Sequence, residues 1–156
     1  MKQFPFNYLV IPGIAILAMV LGRFFSAQGM AWYTTLQLPA ITPPQWVFPV
    51  VWTIIYILTT ISVLIVWNTV ERTSTFWVII GLFLINLFFN IFWSYLFFTN
   101  HMIGAALIDA ILIEVSLFLL IVCIFPVAQL AALLLLPYVV WVFFAIILNV
   151  LIWQIN

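Results

Sequence analysis

Between Arg23 and Glu71, and again between Arg72 and Asp109, this chain carries no charged side chain, and none follows Glu114. All 156 residues include only three basic and three acidic groups, while 69% are apolar. A water-soluble domain is about a quarter charged, so a chain this poor in charge needs another solvent. A membrane-spanning helix takes roughly 20 apolar residues, and the sequence has room for about five. The same scarcity excludes a nucleic-acid surface and a polybasic lipid patch. Cys123 stands alone, which excludes a disulfide framework and a cysteine-based zinc site. His101 with three acids makes no metal-ligand cluster, so no metal is expected.

The breaks between apolar runs divide the chain into five spans, and the fold class is an all-α membrane protein, a five-transmembrane-helix bundle. The first span covers about residues 7–27, and the second, about 46–70, stops at Glu71-Arg72. The third covers about 75–98, with Ser74 or Thr73 placed to cap it. Asn100 and His101 turn the chain into a fourth span, about 102–125, and Pro126 breaks it before a fifth, about 127–153. Residues 28–45, QGMAWYTTLQLPAITPPQ, form the one long connection. The others are too short to fold alone, so residues 1–156 read as one domain. Arg23 interrupts the first span late and no clear small-residue cleavage site follows, so this is a mature span and not a secretory signal. Lys2 and Arg72 fall on one side of the membrane, side A, which the positive-inside rule makes cytoplasmic. The long loop then lies on the opposite side, B. Ala18 with Gly22, and Ala106 with Ala110, are small residues four apart that mark candidate packing faces.

The tryptophans sort by depth. Trp46, Trp67, Trp77 and Trp153 fall at span ends, where an indole anchors at the headgroups. Trp52, Trp93 and Trp141 fall inside spans. At about 1.5 Å per residue, Trp52 lies about 9 Å from side B, Trp93 and Asn90 roughly 8 and 12 Å, and Asn149 roughly 6 Å; Trp141 is near mid-membrane. Asn86, Asn90, Trp93 and Phe97 share one helix face, as do Tyr138, Trp141, Ala145 and Asn149, while Trp52 and Tyr56 stand one turn apart. Amides are costly against lipid, so these faces should turn inward. The set has the makeup of an apolar pocket with a few polar handles in the side-B half. Bulky packing between helices accounts for the interior indoles equally well. Asp109 and Arg23, about 10 and 6 Å from side B, are expected to form a structural ion pair. Glu114 is turned roughly 140° from Asp109, so one group cannot serve both acids. The loop bearing Trp32, Tyr33, Pro39, Pro43 and Pro44 is stiff enough to act as a lid over the side-B mouth.

Four blocks carry a family resemblance: WYTTLQLPAITPPQWVFPVVWTIIY (32–56), NIFWSYLFF (90–98), GAALIDA (104–110) and LLPYVVWVFFAIILN (135–149). Their joint spacing resembles the translocator protein, or TspO/MBR, family, also called tryptophan-rich sensory proteins, over nearly the whole chain. The resemblance implies a five-helix bundle, commonly a homodimer, with a ligand pocket beneath the loop between the first two helices. By matching position it implies that Trp52, Asn90, Trp93, Trp141, Ala145 and Leu148 line that pocket, with Tyr33 and Pro43 contributed by the loop. It further implies binding of porphyrins such as protoporphyrin IX, and of isoquinoline carboxamide-type ligands, in a regulatory or sensory role. Some bacterial members resemble light-dependent porphyrin-degrading proteins, which makes Trp52 and Trp141 candidate photo-oxidation residues in an alternative reading. Transport of porphyrin or another hydrophobic molecule is a second alternative, although no inverted repeat of the transporter kind is present. No cofactor is required; porphyrin enters as ligand or substrate, and membrane lipid is the other partner. Animal members carry a cholesterol-recognition pattern in which a Tyr is soon followed by Lys or Arg. Here no basic residue follows Tyr138, and Ala105 stands where animal members carry a bulky aromatic. The missing pattern favours a bacterial member in the plasma membrane. No acid–base pair, nucleophile triad or phosphate loop accompanies these residues, so an enzymatic role rests on the resemblance alone.

Overall fold

The computed structural model describes residues 6–156; Lys2, one of the two residues that assign the sides, lies outside the described residues. Helix α1 (Asn7–Gln28) leads through a short α2 (Met30–Tyr33) and an irregular loop into α3 (Val47–Thr69). Helix α4 (Ser74–Ser94) continues into a π-helical turn, Tyr95–Thr99, and α5 (Ile103–Ile124) follows. The last crossing is divided into α6 (Gln129–Leu133) and α7 (Leu136–Ile155). Five stretches are long and apolar enough to cross a membrane, as the apolar runs require.

Helix α5 is the centre of the bundle, packed between α4 and α7. Lipid tails are as apolar as leucine, so helices associate by close van der Waals contact and a few hydrogen bonds, which favours small residues between them. Ala106 and Ala110 are buried, so that face of α5 packs within the subunit. Around it close Phe76, Ile79 and Phe83 of α4, Ile113, Leu117, Leu120 and Ile124 of α5, and Leu135, Tyr138 and Val142. Helix α1 is different. Its one buried residue is Ala18, and it lies outermost, against α3, α4 and the π turn.

Two of the expected spans depart from a plain α-helix. The fifth is not continuous from 127 to 153, because Pro137 has no N–H to give the carbonyl of Leu133. The chain kinks at Leu134–Leu135, and Leu135 N–H turns to Ala132 O at 3.1 Å, releasing the Ala131 carbonyl. Ser62 of α3 donates its hydroxyl to that carbonyl at 2.8 Å, so the carbonyl released by the kink is not left unpaired in a dry environment. The third span ends in the π turn: Asn100 N–H reaches Tyr95 O at 3.0 Å and Met102 N–H reaches Leu96 O at 2.9 Å. His101 closes it with φ of 57°, and its ring stacks on Trp32 at 4.1 Å. Gly29 lies directly against the Phe98 backbone, where a methyl group would collide with the carbonyl. Backbone therefore touches backbone where α1 ends.

The loop after α2 is tied down from the far end of the chain. Gln37 N–H donates to Asn156 Oδ1 at 2.9 Å, and Asn156 Nδ2 donates to Gln37 O at 3.0 Å. At about 1 kcal/mol for each bond, Asn156→Ala should speed exchange of the Gln37 amide roughly 30-fold, read by hydrogen–deuterium exchange. An unchanged rate would mean that other contacts hold the loop.

Candidate ligand cavity

Helices α3 and α4 barely touch each other, and the first half of α1 lies across the gap. The space enclosed is a cavity of about 540 Å³. Its wall is built from Val10 and Ile14 of α1, Trp52, Tyr56, Thr59, Val63 and Trp67 of α3, Phe83 and Asn90 of α4, and Tyr138 of α7. Among the described residues, no charged side chain lines it. The α1 residues and Trp67 carry the cavity toward side A, well beyond the side-B half expected from the sequence.

The polar contribution converges at one depth. Tyr56 Oη donates to Asn90 Oδ1 at 2.9 Å, and Asn90 Nδ2 donates to Tyr138 Oη at 2.7 Å. One carboxamide thus ties three helices together. The Trp52 indole meets the Tyr138 ring edge-on at 5.8 Å and tilts against Tyr56 at 6.2 Å. Asn86 also lies on the wall, but its amide is turned into the bundle, donating to Ser116 Oγ at 2.8 Å and to the Ile113 carbonyl at 3.3 Å. Thr59 Oγ1 is buried without a partner. At the side-A end Asn7 Nδ2 donates to Asn68 Oδ1 at 2.9 Å, joining α1 to α3. The Arg72 guanidinium sits over the rings of Trp67 and Phe76, at 4.5 and 4.0 Å, so Trp67 does more than anchor at the headgroups.

Of the residues expected to line a pocket, the structure brings Trp52 and Asn90 together on this wall. Trp93 instead stacks on Phe97 at 5.0 Å, next to the side-B cluster. Trp141 faces an open outer hollow with Val51, Pro137, Val140 and Phe144, and meets Phe48 edge-on at 5.7 Å. Ala145 is half-buried on α7 and Leu148 is buried. Tyr33 packs on Phe97 and Phe98, and its burial pushes the phenol above its usual pKa. Pro43 is half-buried in the loop. None of these six touches the cavity. The wall residues that sequence reasoning missed include Thr59, Val63, Trp67, Phe83 and the first half of α1. A Thr-Thr pair at 59–60 in mid-span was the available signal; α1 offered none, being apolar all round.

The sequence matches the model of the TspO/MBR family over residues 10–154. This chain belongs to the TspO/MBR family. It is 37% identical to the "Tryptophan-rich protein TspO" of Archaeoglobus fulgidus over 155 residues, covering 95% of this chain and 96% of that protein. It is 34% identical to the "Translocator protein" of Homo sapiens, covering 86% of this chain and 80% of that one. "Protein CrtK" of Rhodobacter capsulatus is 32% identical over 86% of this chain and 83% of its own length. With five crossing helices, this TspO/MBR chain is a multi-pass membrane protein.

In this TspO/MBR protein the expected ion pair between Arg23 and Asp109 is not formed. Arg23 is exposed on α1, while Asp109 is buried on α5 with Oδ2 lacking any partner. The two helices share no substantial contact, because α1 packs on α3, α4 and the π turn. Depth arithmetic placed both residues at similar levels but did not show that another helix stands between them. Breaking a buried pair costs about 3–5 kcal/mol, so a real pair would make Arg23→Gln strongly destabilising. Here Arg23→Gln, at an exposed position, should shift stability by less than about 1 kcal/mol, measured as the thermal midpoint in one fixed detergent.

Proposed function

We propose that this TspO/MBR protein is a membrane receptor for a ligand with a flat apolar macrocycle, of the protoporphyrin IX type, held between α1, α3 and α4 in a regulatory or sensory role. Isoquinoline carboxamide-type ligands compete for the same cavity. The observation that carries the reading is the convergence of the Trp52 indole and the Tyr56–Asn90–Tyr138 cluster on one largely apolar cavity. A volume of about 540 Å³ falls within the range of roughly 300–1,000 Å³ typical of small-molecule sites. Indole and phenol faces favour a planar π-system, and the amide cluster fixes its orientation. No cofactor is needed in this role. The plasma membrane and a homodimer belong to the same reading, and cross-linking in lipid nanodiscs tests the second.

Titration of protoporphyrin IX into the protein in nanodiscs should quench tryptophan fluorescence with a micromolar Kd. Trp52→Ala should weaken binding about tenfold, equivalent to an aromatic contact of about 1.4 kcal/mol. If this substitution left affinity untouched, the ligand would have to sit elsewhere.

The position of Trp52 on the wall also favours a second reading, light-dependent breakdown of the bound porphyrin. The indole in contact with the ligand is placed to give one electron to its excited state, leaving an indole radical cation and a porphyrin radical anion. Dissolved dioxygen is the oxidant that then adds to the ring, and the electron returns to the indole. Trp141 instead faces the outer hollow. Under illumination the porphyrin Soret band should then decay in the wild type and persist in Trp52→Phe. Equal decay with free indole in empty nanodiscs dismisses catalysis.

A further inference from the structure

The cavity reaches side A beside a cation. Trp67 of α3 and Asn7 of α1 line that end. The Arg72 guanidinium lies over the Trp67 ring at 4.5 Å and over the ring of the buried Phe76 at 4.0 Å. One aromatic side chain is therefore both cavity wall and platform for the charge. Stacking occupies the face of a guanidinium and leaves its N–H donors at the edge, in a fork that matches a carboxylate. Glu71 precedes Arg72 in the chain, yet no carboxylate of the described residues pairs with it. Arg72 is exposed, at the level where the span meets the headgroups. Arg23, the other cation of the described residues, lies toward the opposite side on α1.

We infer that Arg72 takes the carboxylate of an amphipathic acid whose apolar body lies in the cavity and whose acid end emerges at side A. From Tyr56 to Trp67, α3 spans about 16 Å, so a planar body lying along it stays among apolar side chains while its acid reaches the headgroup level. There the charge avoids the cost it would meet at the bilayer centre. The inference rests on the reading that the cavity is the ligand site. It adds the direction in which the ligand lies and the residue that selects for an acid.

Protoporphyrin IX and its dimethyl ester test it, since they share the macrocycle and differ only in their acid groups. Affinities are read by tryptophan quenching in phosphatidylcholine nanodiscs, at about pH 8 so that the free acids are ionised, and corrected for partition into empty nanodiscs. The wild type should bind the acid roughly tenfold more tightly than the ester, the scale of a hydrogen bond to a charged group. Arg72→Gln should erase that preference while still binding the ester, which shows the cavity intact. Arg72→Lys, which keeps the charge and loses the fork, should restore part of it. Arg23→Gln, which removes a cation toward the opposite side, should leave it unchanged. The same acid-to-ester ratio in the wild type and Arg72→Gln would overturn the inference; the guanidinium would then serve lipid phosphates, and the cavity would stand as a ligand site. Binding of neither porphyrin would remove the ligand site itself, and this inference with it.

Discussion

Asn90→Leu is expected to lower the stability of the bundle by about 3 kcal/mol and to weaken porphyrin binding at least tenfold. Leucine fills nearly the same space, so the loss is not a cavity effect. It arises because the Tyr56 and Tyr138 phenols, joined only through the Asn90 carboxamide, would both be stranded at a depth without water. An orphaned buried polar group costs about 1–3 kcal/mol, whereas removing every partner together is nearly neutral. The combination Tyr56→Phe, Asn90→Leu and Tyr138→Phe should therefore recover most of the thermal midpoint while staying defective in binding. If the triple variant were less stable than Asn90→Leu alone, the cluster would contribute through packing and not through its hydrogen bonds.

Gly29→Ala should destabilise the protein by about 3 kcal/mol, at the upper end of ordinary overpacking. The new methyl would collide with the Phe98 carbonyl and stand 2.7 Å from its Cα, all of it backbone with no rotamer to escape into. Conformation is not the reason, since φ at Gly29 is −98°, which any residue adopts. Gly13 and Gly81 are the controls: a Cβ at either meets nothing within 4 Å. Alanine there should be neutral or gain up to about 1 kcal/mol from helix propensity. Thermal midpoints of the three variants in one detergent distinguish a steric pin from a general intolerance of alanine.

The five crossings were legible because each apolar run ends at a polar or helix-breaking mark: the polar loop, Glu71-Arg72, Asn100-His101 and Pro126. The relations within single helices were legible too. Trp93 does lie over Phe97, and Trp52 against Tyr56, as their spacing along a helix demands. What periodicity cannot supply is which neighbour each sector of a helix faces. Tyr138 and Trp141 are about 60° apart around α7, enough to send one ring into the cavity and the other to the outer hollow. The missing Arg23–Asp109 pair has the same origin, since depth fixes one coordinate and the helix order fixes the others. The π turn lies with its Phe98 backbone against Gly29, a contact that leaves no local pattern. The kink before α7 did leave one, Pro137, whose influence falls a full turn upstream of its own position.

Helix α1 forms one side of the cavity yet buries a single residue of its own against the protein. Acyl chains must therefore brace its outer surface, and the bilayer serves as a structural component of the binding chamber. Affinity should follow lipid thickness and fluidity, and a detergent that leaves this helix unsupported will report on a chamber with one wall ajar.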